Sequence, residues 1–519
     1  MIDQSLLDAV KQYAQSLSKD VTFVMQTGTH SKRDELKTFL EEISSVSEKI
    51  HVIERDFSGA RNAISFTLEV DNQATGIYFS GIPGGHEFSS LILALLQAGG
   101  AALKLDNSIQ NFIRTIDEPL HFETFVSLSC HNCPEVVQAL NQFSLLNPLI
   151  HSEMIDGGLF QEEIEKRNIQ GVPAVFLNGQ SFINGKIDTA KIIEKLLEKY
   201  PHFAQKMAAE EQLPLQDVTV IGGGPAGSAA AIYAARKGLK VTLIADRIGG
   251  QVKDTVSIEN LIGTKETTGS KLALQLQEHI QANAIIVKEN ISVKSVETHE
   301  GSHVVILQTG ERIQTKTLIV ASGAKWRELG VPGEKENLGK GVAYCPHCDG
   351  PFFKGKHVAV IGGGNSGIEA AIDLSGIVRK VSVFEFADTL KADKVLVDSA
   401  QSRDNIEIFT GVMTQSIAAE NGKVTAIHYQ ERASGAEKTL ALDGVFVQIG
   451  LIPNTVFLGD AVKRTRFGEI EINGRCETST AGIFAAGDCT NVPYKQIIIA
   501  MGEGAKAALS AFDYLIRQK

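Results

Sequence analysis

The chain has 519 residues, a length that at roughly 150 residues per domain predicts about three or four domains. Its composition is 43% hydrophobic and 21% charged with a single tryptophan, which is typical of a globular protein and excludes a disordered or fibrous chain. The net charge of -11 disfavours nucleic acid and anionic lipid as partners, because both are themselves negatively charged.

The N-terminus and the cysteines indicate a reducing compartment. Residues 1–20 interrupt each short apolar stretch with a polar side chain, which predicts an amphipathic helix rather than a signal peptide. No segment approaches the roughly 20 apolar residues that a membrane span requires. Six cysteines are too few for a disulfide scaffold, and four of them form two Cys-x-x-Cys pairs, which favours thiol chemistry in the cytoplasm.

A weak internal repeat precedes the first glycine-rich motif. Residues 21–25 and 124–128 are short apolar strands, each followed by a polar turn and a helical pattern. The first turn contains residues 28–31 and no cysteine, whereas the second contains Cys130, His131, Asn132 and Cys133. We predict two tandem thioredoxin-like units, a cysteine-free unit at 1–117 and a CHNC unit at 118–200, followed by a linker at 201–216.

The first glycine-rich motif, VTVIGGGPAG at 218–227, follows the pattern of a dinucleotide fold. Gly222, Gly224 and Gly227 fill the G-x-G-x-x-G positions between a buried strand and a helix, so that the backbone can approach a pyrophosphate at the helix N-terminus. Asp246 ends the next strand at the spacing expected for an acid that binds a ribose.

The second motif, VAVIGGGNSG at 358–367, repeats this pattern with Gly362, Gly364 and Gly367. Glu385 ends the following strand and would accept hydrogen bonds from a ribose 2′-hydroxyl while repelling a 2′-phosphate. The next residues, 386–388, offer no arginine for such a phosphate. This site therefore predicts NADH rather than NADPH.

The second Cys-x-x-Cys pair, Cys345 and Cys348 in CPHCD, lies between the two glycine motifs. Half of a zinc site is one interpretation, but its other half would be Cys130 and Cys133, more than 200 residues away in the sequence. A redox pair is the preferred interpretation, because Cys-x-x-Cys at a helix start lowers the thiol pKa and places two sulfurs within bonding range. We predict no metal site.

The order GGGPAG, CPHCD, GGGNSG and GIFAAGD resembles the low-molecular-weight thioredoxin reductases. With an N-terminal tandem thioredoxin-like region carrying CHNC, the whole chain closely resembles the flavoprotein component of alkyl hydroperoxide reductase. The resemblance implies an α/β fold in which two thioredoxin-like folds precede two Rossmann-like three-layer domains. It places FAD on 217–333 and 451–519, and NADH on 334–450.

Site residues follow from the resemblance. It implies that Cys348 faces the flavin, that Cys345 is the interchange thiol, and that Asp349 moves protons, although a helix N-terminal charge also explains that acid. The remaining flavin contacts that it implies are Gly250, Gln251, Asn260, Asp488 and Gln496.

In the N-terminal region, Cys130 is expected to be the more exposed thiol that attacks the partner's disulfide, and Cys133 the one that resolves the mixed disulfide. Val172-Pro173 resembles the cis-proline of thioredoxin folds, against the alternative of a trans turn proline. Glu87 matches a buried acid of the family that assists Cys130 as a base, and a solvated turn acid is the alternative interpretation. Cys476 and Cys489 are interpreted as small buried hydrophobes.

The resulting hypothesis is an NADH-dependent FAD disulfide reductase that regenerates a two-cysteine peroxiredoxin and so supports peroxide detoxification. Electrons would pass from NADH to FAD, to Cys345-Cys348, to Cys130-Cys133 and to the partner. Family resemblance also implies a homodimer. Two alternatives remain open: a general thioredoxin-reductase-like enzyme with a fused thioredoxin domain, and a non-catalytic NADH-binding redox sensor.

Overall fold

The computed structural model describes residues 2–169, 171–185, 187–206, 213–255, 257–338, 340–420 and 423–518, with the backbone alone at 204–206, 347 and 348. Contacts divide the chain into two compact units. One comprises Met1–Gln216, Ile244–Arg247 and Val287–Thr315, and the other comprises Asp217–Leu243, Ile248–Ile286 and Lys316–Lys519.

The N-terminal region alternates strands and helices. Its elements in chain order are α1 Gln4–Ala14, β1 Val21–Met25, α2 Arg33–Ser44, β2 Ile50–Glu54, β3 Ser65–Val70, β4 Gln73–Ser80, α3 Phe88–Ala98, α4 Asn107–Thr115, β5 Leu120–Val126, α5 Cys133–Leu146, β6 Ile150–Asp156, α6 Gln161–Lys166, β7 Ala174–Leu177, β8 Gln180–Asn184 and α7 Thr189–Lys199.

These strands form one eight-stranded sheet in the order β2-β1-β3-β4-β6-β5-β7-β8. Each half of the order has the same topology, in which the first and second strands are parallel while the third pairs antiparallel with the first and with the fourth. The two halves join through the parallel pair β4 and β6. The predicted internal repeat is therefore confirmed, and both copies share a single sheet.

Helices cover this sheet with apolar faces. In α2, Leu36, Leu40 and Ile43 recur at helical spacing and are fully buried, while the intervening residues are mostly charged. They join a core that contains aromatic residues of the first copy and also Cys133 of the second. The first copy therefore packs directly under the cysteine pair of the second.

The strand after the repeat boundary differs from its prediction. It spans Leu120–Val126 instead of 124–128. Sequence periodicity missed its start because a charged residue, Glu123, lies inside it. The structure neutralises this buried carboxylate with Arg61 and Arg167, so the strand continues through an apparently polar position.

The remaining chain contains the two dinucleotide folds. Its elements are β9 Gln216–Ile221, α8 Pro225–Arg236, β10 Val241–Ala245, α9 Gly269–Gln281, β11 Ile285–Glu289, β12 Val293–His299, β13 Ser302–Leu307, β14 Arg312–Val320, β15 Ala324–Trp326, β16 Val342–Ala343, α10 Pro346–Asp349, β17 His357–Ile361, α11 Asn365–Ser375, β18 Lys380–Phe384, α12 Lys394–Gln401, β19 Ile406–Phe409, β20 Val412–Glu420, β21 Lys423–Glu431, β22 Glu437–Ala441, β23 Gly444–Val447, β24 Leu451–Pro453, β25 Ile483–Ala485 and α13 Ile497–Arg517.

Each glycine motif connects a central strand to a helix. A seven-stranded sheet has the order β11-β10-β9-β14-β13-β12, with β25 beside β14, and a five-stranded sheet has the order β16-β23-β17-β18-β19. The loop after β17 lies at the carboxyl end of a strand that is parallel to both of its neighbours, where α/β folds bind nucleotides, and the loop after β9 is the corresponding glycine loop of the other sheet. A three-stranded sheet of β20, β21 and β22 and a pair of β15 with β24 complete this region.

Of the predicted linker at 201–216, the structure describes a 3-10 turn at Pro201–Lys206 and the residues from 213 onward, while 207–212 lie outside the described residues. Across the described ranges, no helix combines the length and apolar character needed to cross a bilayer.

Candidate active site

The first cysteine pair lies at the start of α5. Cys130 and Cys133 form a disulfide with their Cα atoms 5.6 Å apart. Cys133 is fully buried, whereas Cys130 is partly exposed, as predicted for the attacking thiol. Cys130 Sγ lies 3.8 Å from the carbonyl oxygen of Val172, and the Val172-Pro173 peptide bond is cis. The proline prediction is therefore confirmed.

The cysteine-free copy reaches this disulfide through the 3-10 turn Gly85–Glu87. The His86 amide donates to the carbonyl oxygen of Leu128 at 3.0 Å, two residues before Cys130. Gly85 has φ +55°, and a Cβ on it would lie 2.4 Å from that same oxygen. Only glycine therefore permits the two copies to approach so closely here.

Glu87 is buried at this junction and is not the solvated turn acid of the alternative interpretation. Its exposed fraction is 0%, and neither carboxylate oxygen has a hydrogen-bond partner of normal geometry among the described residues. Burial raises the pKa of Glu87 to about 7, and the nearby Ser90 hydroxyl offsets a small part of this rise. A carboxyl group of this kind can exchange a proton near neutral pH.

The first glycine loop has the shape that a bound pyrophosphate needs. A Cβ on Gly222 would lie 2.1 Å from the Ala321 carbonyl oxygen, and one on Gly227 would lie 1.7 Å from the Gly222 carbonyl oxygen. A Cβ on Gly224, in contrast, would meet no atom closer than 4.0 Å. Two glycines thus allow the turn to close, and the third leaves open space in front of α8.

The second glycine loop has the same division. A Cβ on Gly362 or Gly367 would lie 2.4 Å and 1.9 Å from backbone carbonyl oxygens, while Gly364 has nothing within 4 Å of its Cβ position. Glu385 lies against this loop and accepts the amide of Gly363 at 2.5 Å and the amide of Ala387 at 2.7 Å. The predicted acid therefore lies beside the predicted phosphate loop.

The predicted GGQ turn lies against the first loop. Gly249 N donates to the Gly223 carbonyl oxygen at 2.9 Å, and the Cβ position of Gly250 is 3.0 Å from the Gly224 Cα. In the amide orientation that satisfies its neighbours, Gln251 donates to the Ala324 carbonyl oxygen at 2.7 Å and accepts from Trp326 Nε1 at 3.3 Å. The structure thus anchors this turn next to the open space at Gly224.

Three separated predictions converge at the second cysteine pair. Asn260 Nδ2 donates to Gln496 Oε1 at 3.1 Å, and Gln496 Nε2 lies 4.0 Å from Cys345 Sγ. Cys345 is disulfide-bonded. The Cys348 side chain lies outside the described part of the structure, so its pairing with Cys345 stays a prediction.

Two acids that the sequence predicts for the flavin site are partly buried. Burial raises the pKa of Asp349 to about 6, which suits an acid that transfers protons to thiolates. Asp488 is partly buried in the 3-10 turn Gly487–Cys489, and the Cβ position of Gly487 lies 2.9 Å from Ala226 Cβ in α8. Asp488 is therefore near the first turn of α8. Burial raises its pKa, and Lys495 opposes this rise.

Asp246 follows β10, as predicted, and accepts a hydrogen bond from Ser292 Oγ at 2.7 Å. Desolvation by the surrounding chain raises its pKa to about 6, and Ser292 lowers it in part. Since the side chain itself is exposed to solvent, screening keeps the energetic consequence small. An exposed acid at this position remains available to a ribose hydroxyl.

Sequence reasoning missed Trp326, which contacts Gln251 and stacks on Tyr344 with ring centroids 6.2 Å apart. It also missed His86, whose ring contacts His131. The sequence offered one signal for Trp326, namely that it is the only tryptophan of the chain.

The two remaining cysteines, Cys476 and Cys489, are free and buried, as interpreted from the sequence. Burial raises the pKa of both thiols, for Cys476 to about 12. Both thiols therefore stay protonated near neutral pH, which agrees with their assignment as small buried hydrophobes.

Comparisons with known proteins match both the N-terminal and the C-terminal part of the chain. The profile of the pyridine nucleotide-disulphide oxidoreductase family matches residues 216–504, and a thioredoxin domain profile matches residues 120–198. The F subunit of alkyl hydroperoxide reductase from Escherichia coli K12 is 48% identical over 524 residues, and that from Staphylococcus aureus MRSA252 is 48% identical over 517 residues, each match covering 100% of both chains.

Solved structures give the same result for part of the chain. Thioredoxin reductase from Streptococcus pyogenes is 34% identical with a TM-score of 0.56 and covers 58% of this chain and 99% of its own. Thioredoxin reductase from Giardia duodenalis is 30% identical with a TM-score of 0.57 and covers 59% of this chain and 100% of its own. The chain thus belongs to the family of alkyl hydroperoxide reductase F subunits, enzymes of the pyridine nucleotide-disulphide oxidoreductase class that use FAD and a nicotinamide dinucleotide.

Proposed function

We propose that this enzyme uses NADH to reduce the disulfide of a two-cysteine peroxiredoxin through two internal cysteine pairs. One observation carries the proposal. The chain combines a disulfide-bonded Cys345 beside the predicted flavin residues with a second disulfide, Cys130-Cys133, on a thioredoxin-like fold. A reductase that served only a small acceptor would not need the second disulfide.

The Cys130-Cys133 pair performs the last internal step. After reduction, the Cys130 thiolate attacks one sulfur of the partner's disulfide, so that a mixed disulfide forms and the second partner sulfur leaves as a thiolate. Cys133 then attacks Cys130, which restores the Cys130-Cys133 bond and releases the other partner thiolate. Two electrons move to the partner, and its thiolates take up protons from solvent or from a nearby acid. The partial exposure of Cys130 and the burial of Cys133 support these roles.

Two carboxyl groups handle the protons. Glu87 takes the proton that leaves the Cys130 thiol, because its buried position raises its pKa to about 7, close to the working pH. Asp349 serves the Cys345-Cys348 pair in the same way, with a pKa raised to about 6. Asp349 follows Cys348 in the sequence, and Glu87 follows His86, whose amide bonds to the carbonyl oxygen two residues before Cys130.

The open space at Gly224 and Gly364 supports cofactor binding at the two glycine loops. FAD would be held by the loop at Gly222, Gly224 and Gly227 together with Asp246, Gly250, Gln251, Asn260, Asp488 and Gln496. NADH would be held by Gly362, Gly364, Gly367 and Glu385, whose carboxylate disfavours the 2′-phosphate of NADPH. When bound, the flavin would supply two-electron transfer between NADH and the Cys345-Cys348 pair.

The partner and assembly rest on the family. The curated relatives are named as the F subunit of alkyl hydroperoxide reductase, which supports a separate peroxiredoxin as the electron acceptor and peroxide detoxification as the outcome. A cytoplasmic homodimer is part of the same proposal. Cys345 and Cys348, together with Cys130 and Cys133, are assigned to the relay, and the peroxidatic cysteine is assigned to the partner.

The test is NADH oxidation by the purified flavoprotein with an organic hydroperoxide and one of three additions: none, a two-cysteine peroxiredoxin, or thioredoxin. Fast oxidation with the peroxiredoxin alone is expected. Equal activity with thioredoxin would replace the dedicated reductase with a general one, and NADH consumption by peroxide alone would contradict the relay. The Cys130→Ser/Cys133→Ser double variant is the matched control, since it retains the nucleotide loops.

A further inference from the structure

A histidine of the cysteine-free copy lies beside the CHNC sequence. The rings of His86 and His131 have centroids 4.0 Å apart with an interplanar angle of 57°. His131 is exposed between the two cysteines, and His86 is partly buried. The contact therefore joins a residue next to Cys130 to a ring that the other copy holds in place.

The backbone fixes His86 independently of this ring contact. Its amide bonds to the Leu128 carbonyl oxygen at 3.0 Å, and the glycine at 85 permits that approach. A second contact of the two copies lies one helical turn further on, where Gln138 Nε2 of α5 donates to Ser89 Oγ at 3.3 Å and to Ser90 Oγ at 3.4 Å. The backbone that carries the His86 ring is therefore held in place, whereas His131 lies on an exposed turn.

We propose that His86 is a positioning residue for the thiol chemistry of Cys130: its ring packs on His131 and keeps that imidazole beside the Cys130 sulfur once the disulfide is reduced. This inference rests on the proposed function, because it concerns the attacking thiol of the relay.

The electrostatic surroundings explain why this position matters. The titratable groups at the ends of the elements around the pair are carboxyls, namely Glu87 before α3, Glu135 in the first turn of α5 and Asp156 at the end of β6, while His151 and Glu153 lie earlier along β6. Arg167, which precedes the Val172-Pro173 segment, is bound by Glu123. Among these described groups, His131 and His86 are imidazoles that can supply a positive charge to a thiolate at Cys130, and His131 is its neighbour in the sequence. An imidazolium beside a thiol favours the thiolate, and this requires the ring to stay close.

The size of the effect follows from thiol reactivity. If loss of the His86 ring releases His131 and raises the midpoint of Cys130 ionisation by about one pH unit, the thiolate fraction below the midpoint falls about tenfold. A more basic thiolate is also a better nucleophile, with a Brønsted slope of about 0.4–0.5, which returns about threefold. The alkylation rate of Cys130 in the variant is then about three- to fourfold lower than in the wild type on the acidic side. It is about threefold higher at a pH where Cys130 is fully ionised in both proteins.

The experiment measures the alkylation of Cys130 in the full-length flavoprotein after reduction with dithiothreitol and its removal. Iodoacetamide is the probe, and the Cys130 and Cys133 peptides are quantified separately by mass spectrometry across a pH series. His86→Ala removes the ring, His86→Phe retains a ring that can pack on His131, and His51→Ala removes an exposed histidine on β2 as a matched control. Circular dichroism and flavin content establish that each variant is folded.

In His86→Ala, the midpoint of the pH profile of Cys130 alkylation should be raised, and this profile should cross that of the wild type. In His86→Phe and His51→Ala, the midpoint should equal that of the wild type. A purely structural role would slow His86→Ala equally at every pH, which would overturn the proposal. A wild-type midpoint in His86→Ala, or an equal shift in His86→Phe, would overturn it as well. Faster alkylation of Cys133 than of Cys130 in the wild type would instead contradict the assignment of the attacking thiol in the proposed function, so the two failures are distinguishable.

Discussion

The two thioredoxin-like copies have the same strand order and differ at the place where a thioredoxin fold performs its chemistry. In the second copy, α5 begins at Cys133, whose disulfide partner faces the Val172 carbonyl oxygen two residues before β7. In the first copy, α2 begins at Arg33, whose guanidinium donates at 2.7 Å to the Ala63 carbonyl oxygen two residues before β3. Topologically equivalent positions therefore hold a reactive disulfide in one copy and an arginine in the other.

Arg33 occupies the position in the first copy that corresponds to the disulfide of the second copy, and it bonds to the segments around it. Arg33 also donates to the Gln26 carbonyl oxygen and, at 2.7 Å, to Glu54 Oε2, so it links the end of β1 with β2 and the segment before β3. The guanidinium thus bonds to two carbonyl oxygens and a carboxylate, and the bond to the carboxylate is charge-assisted. The first copy instead contributes Glu87 and His86 from the start of α3 to the disulfide of its neighbour. The copy without cysteines thus places two side chains that we propose to assist the disulfide of the other copy.

The largest expected effect tests the assumption that only one copy carries electrons. Cys130→Ser should lower peroxiredoxin-linked NADH oxidation roughly a thousandfold or more, because the attacking thiolate is gone. Cys133→Ser should accumulate a mixed disulfide with the partner, because nothing resolves it. Both variants should retain flavin reduction by NADH, measured by the bleaching of flavin absorbance. Linked turnover above about a tenth of the wild-type rate in either variant would show a route that bypasses this copy.

The second largest effect concerns the ion pairs between the two copies and their contribution to stability. Arg61 of the first copy pairs with Glu123 and, at 2.7 Å, with Glu153, two buried carboxylates of the second copy. Arg61→Ala should lower the free energy of unfolding by about 3–5 kcal/mol, because it leaves the buried Glu153 carboxylate without its guanidinium partner, while Glu123 keeps Arg167. Urea denaturation followed by circular dichroism measures this change.

Arg55→Ala is the control for that experiment, because Arg55 is half exposed and pairs with Glu69 inside the first copy. Its expected cost is at most about 1 kcal/mol. Equal losses in the two variants would mean that the ionic contact between the copies has no special role.

The sequence predicted local features of the site well and failed for features that depend on packing. Gly222 and Gly227 contact only the strand and loop that the motif itself connects or its neighbour in the sheet, so their spacing is informative on its own. The shared sheet, in contrast, arises from the pairing of β4 with β6, about 75 residues apart along the chain. Arg33 and His86 are equally non-local, since each meets residues some 30 to 45 positions away. No periodicity encodes such contacts.

Glu87 gives an effect of intermediate size, and its sign follows from its burial. Its pKa rises from an ordinary 4.5 to about 7, so between these values the folded state holds a proton that the unfolded state has lost. The contribution of Glu87 to stability should therefore fall as pH rises through this window, by about 3 kcal/mol in total, and level off above it. Glu87→Gln should remove this part of the pH dependence.

The measurement is urea unfolding of both proteins below pH 4.5 and above pH 7. We expect similar stabilities at the lower pH and a more stable Glu87→Gln variant at the higher pH, together with slower reduction of the peroxiredoxin because the base is lost. Glu41→Gln, which alters an exposed carboxyl of the same copy, should show neither change. If the stability of Glu87→Gln depends on pH as that of the wild type does, another group stabilises the ionised Glu87 carboxylate in the folded protein, and its pKa is not raised.

The smallest effect tests the arginine that stands where the other copy has its cysteine. Arg33→Met keeps much of the side-chain volume but leaves the carbonyl oxygens of Gln26 and Ala63 without this donor, which should cost about 1–3 kcal/mol in the free energy of unfolding. Lys37→Met is the matched control, because Lys37 pairs with the same Glu54 at 3.0 Å from an exposed position, and should cost less than about 1 kcal/mol. Peroxiredoxin-linked activity should stay at the wild-type level in both variants, since Arg33 supports only the first copy. A loss of activity without a loss of stability in Arg33→Met would show that the space at the start of α2 still takes part in the chemistry of its neighbour.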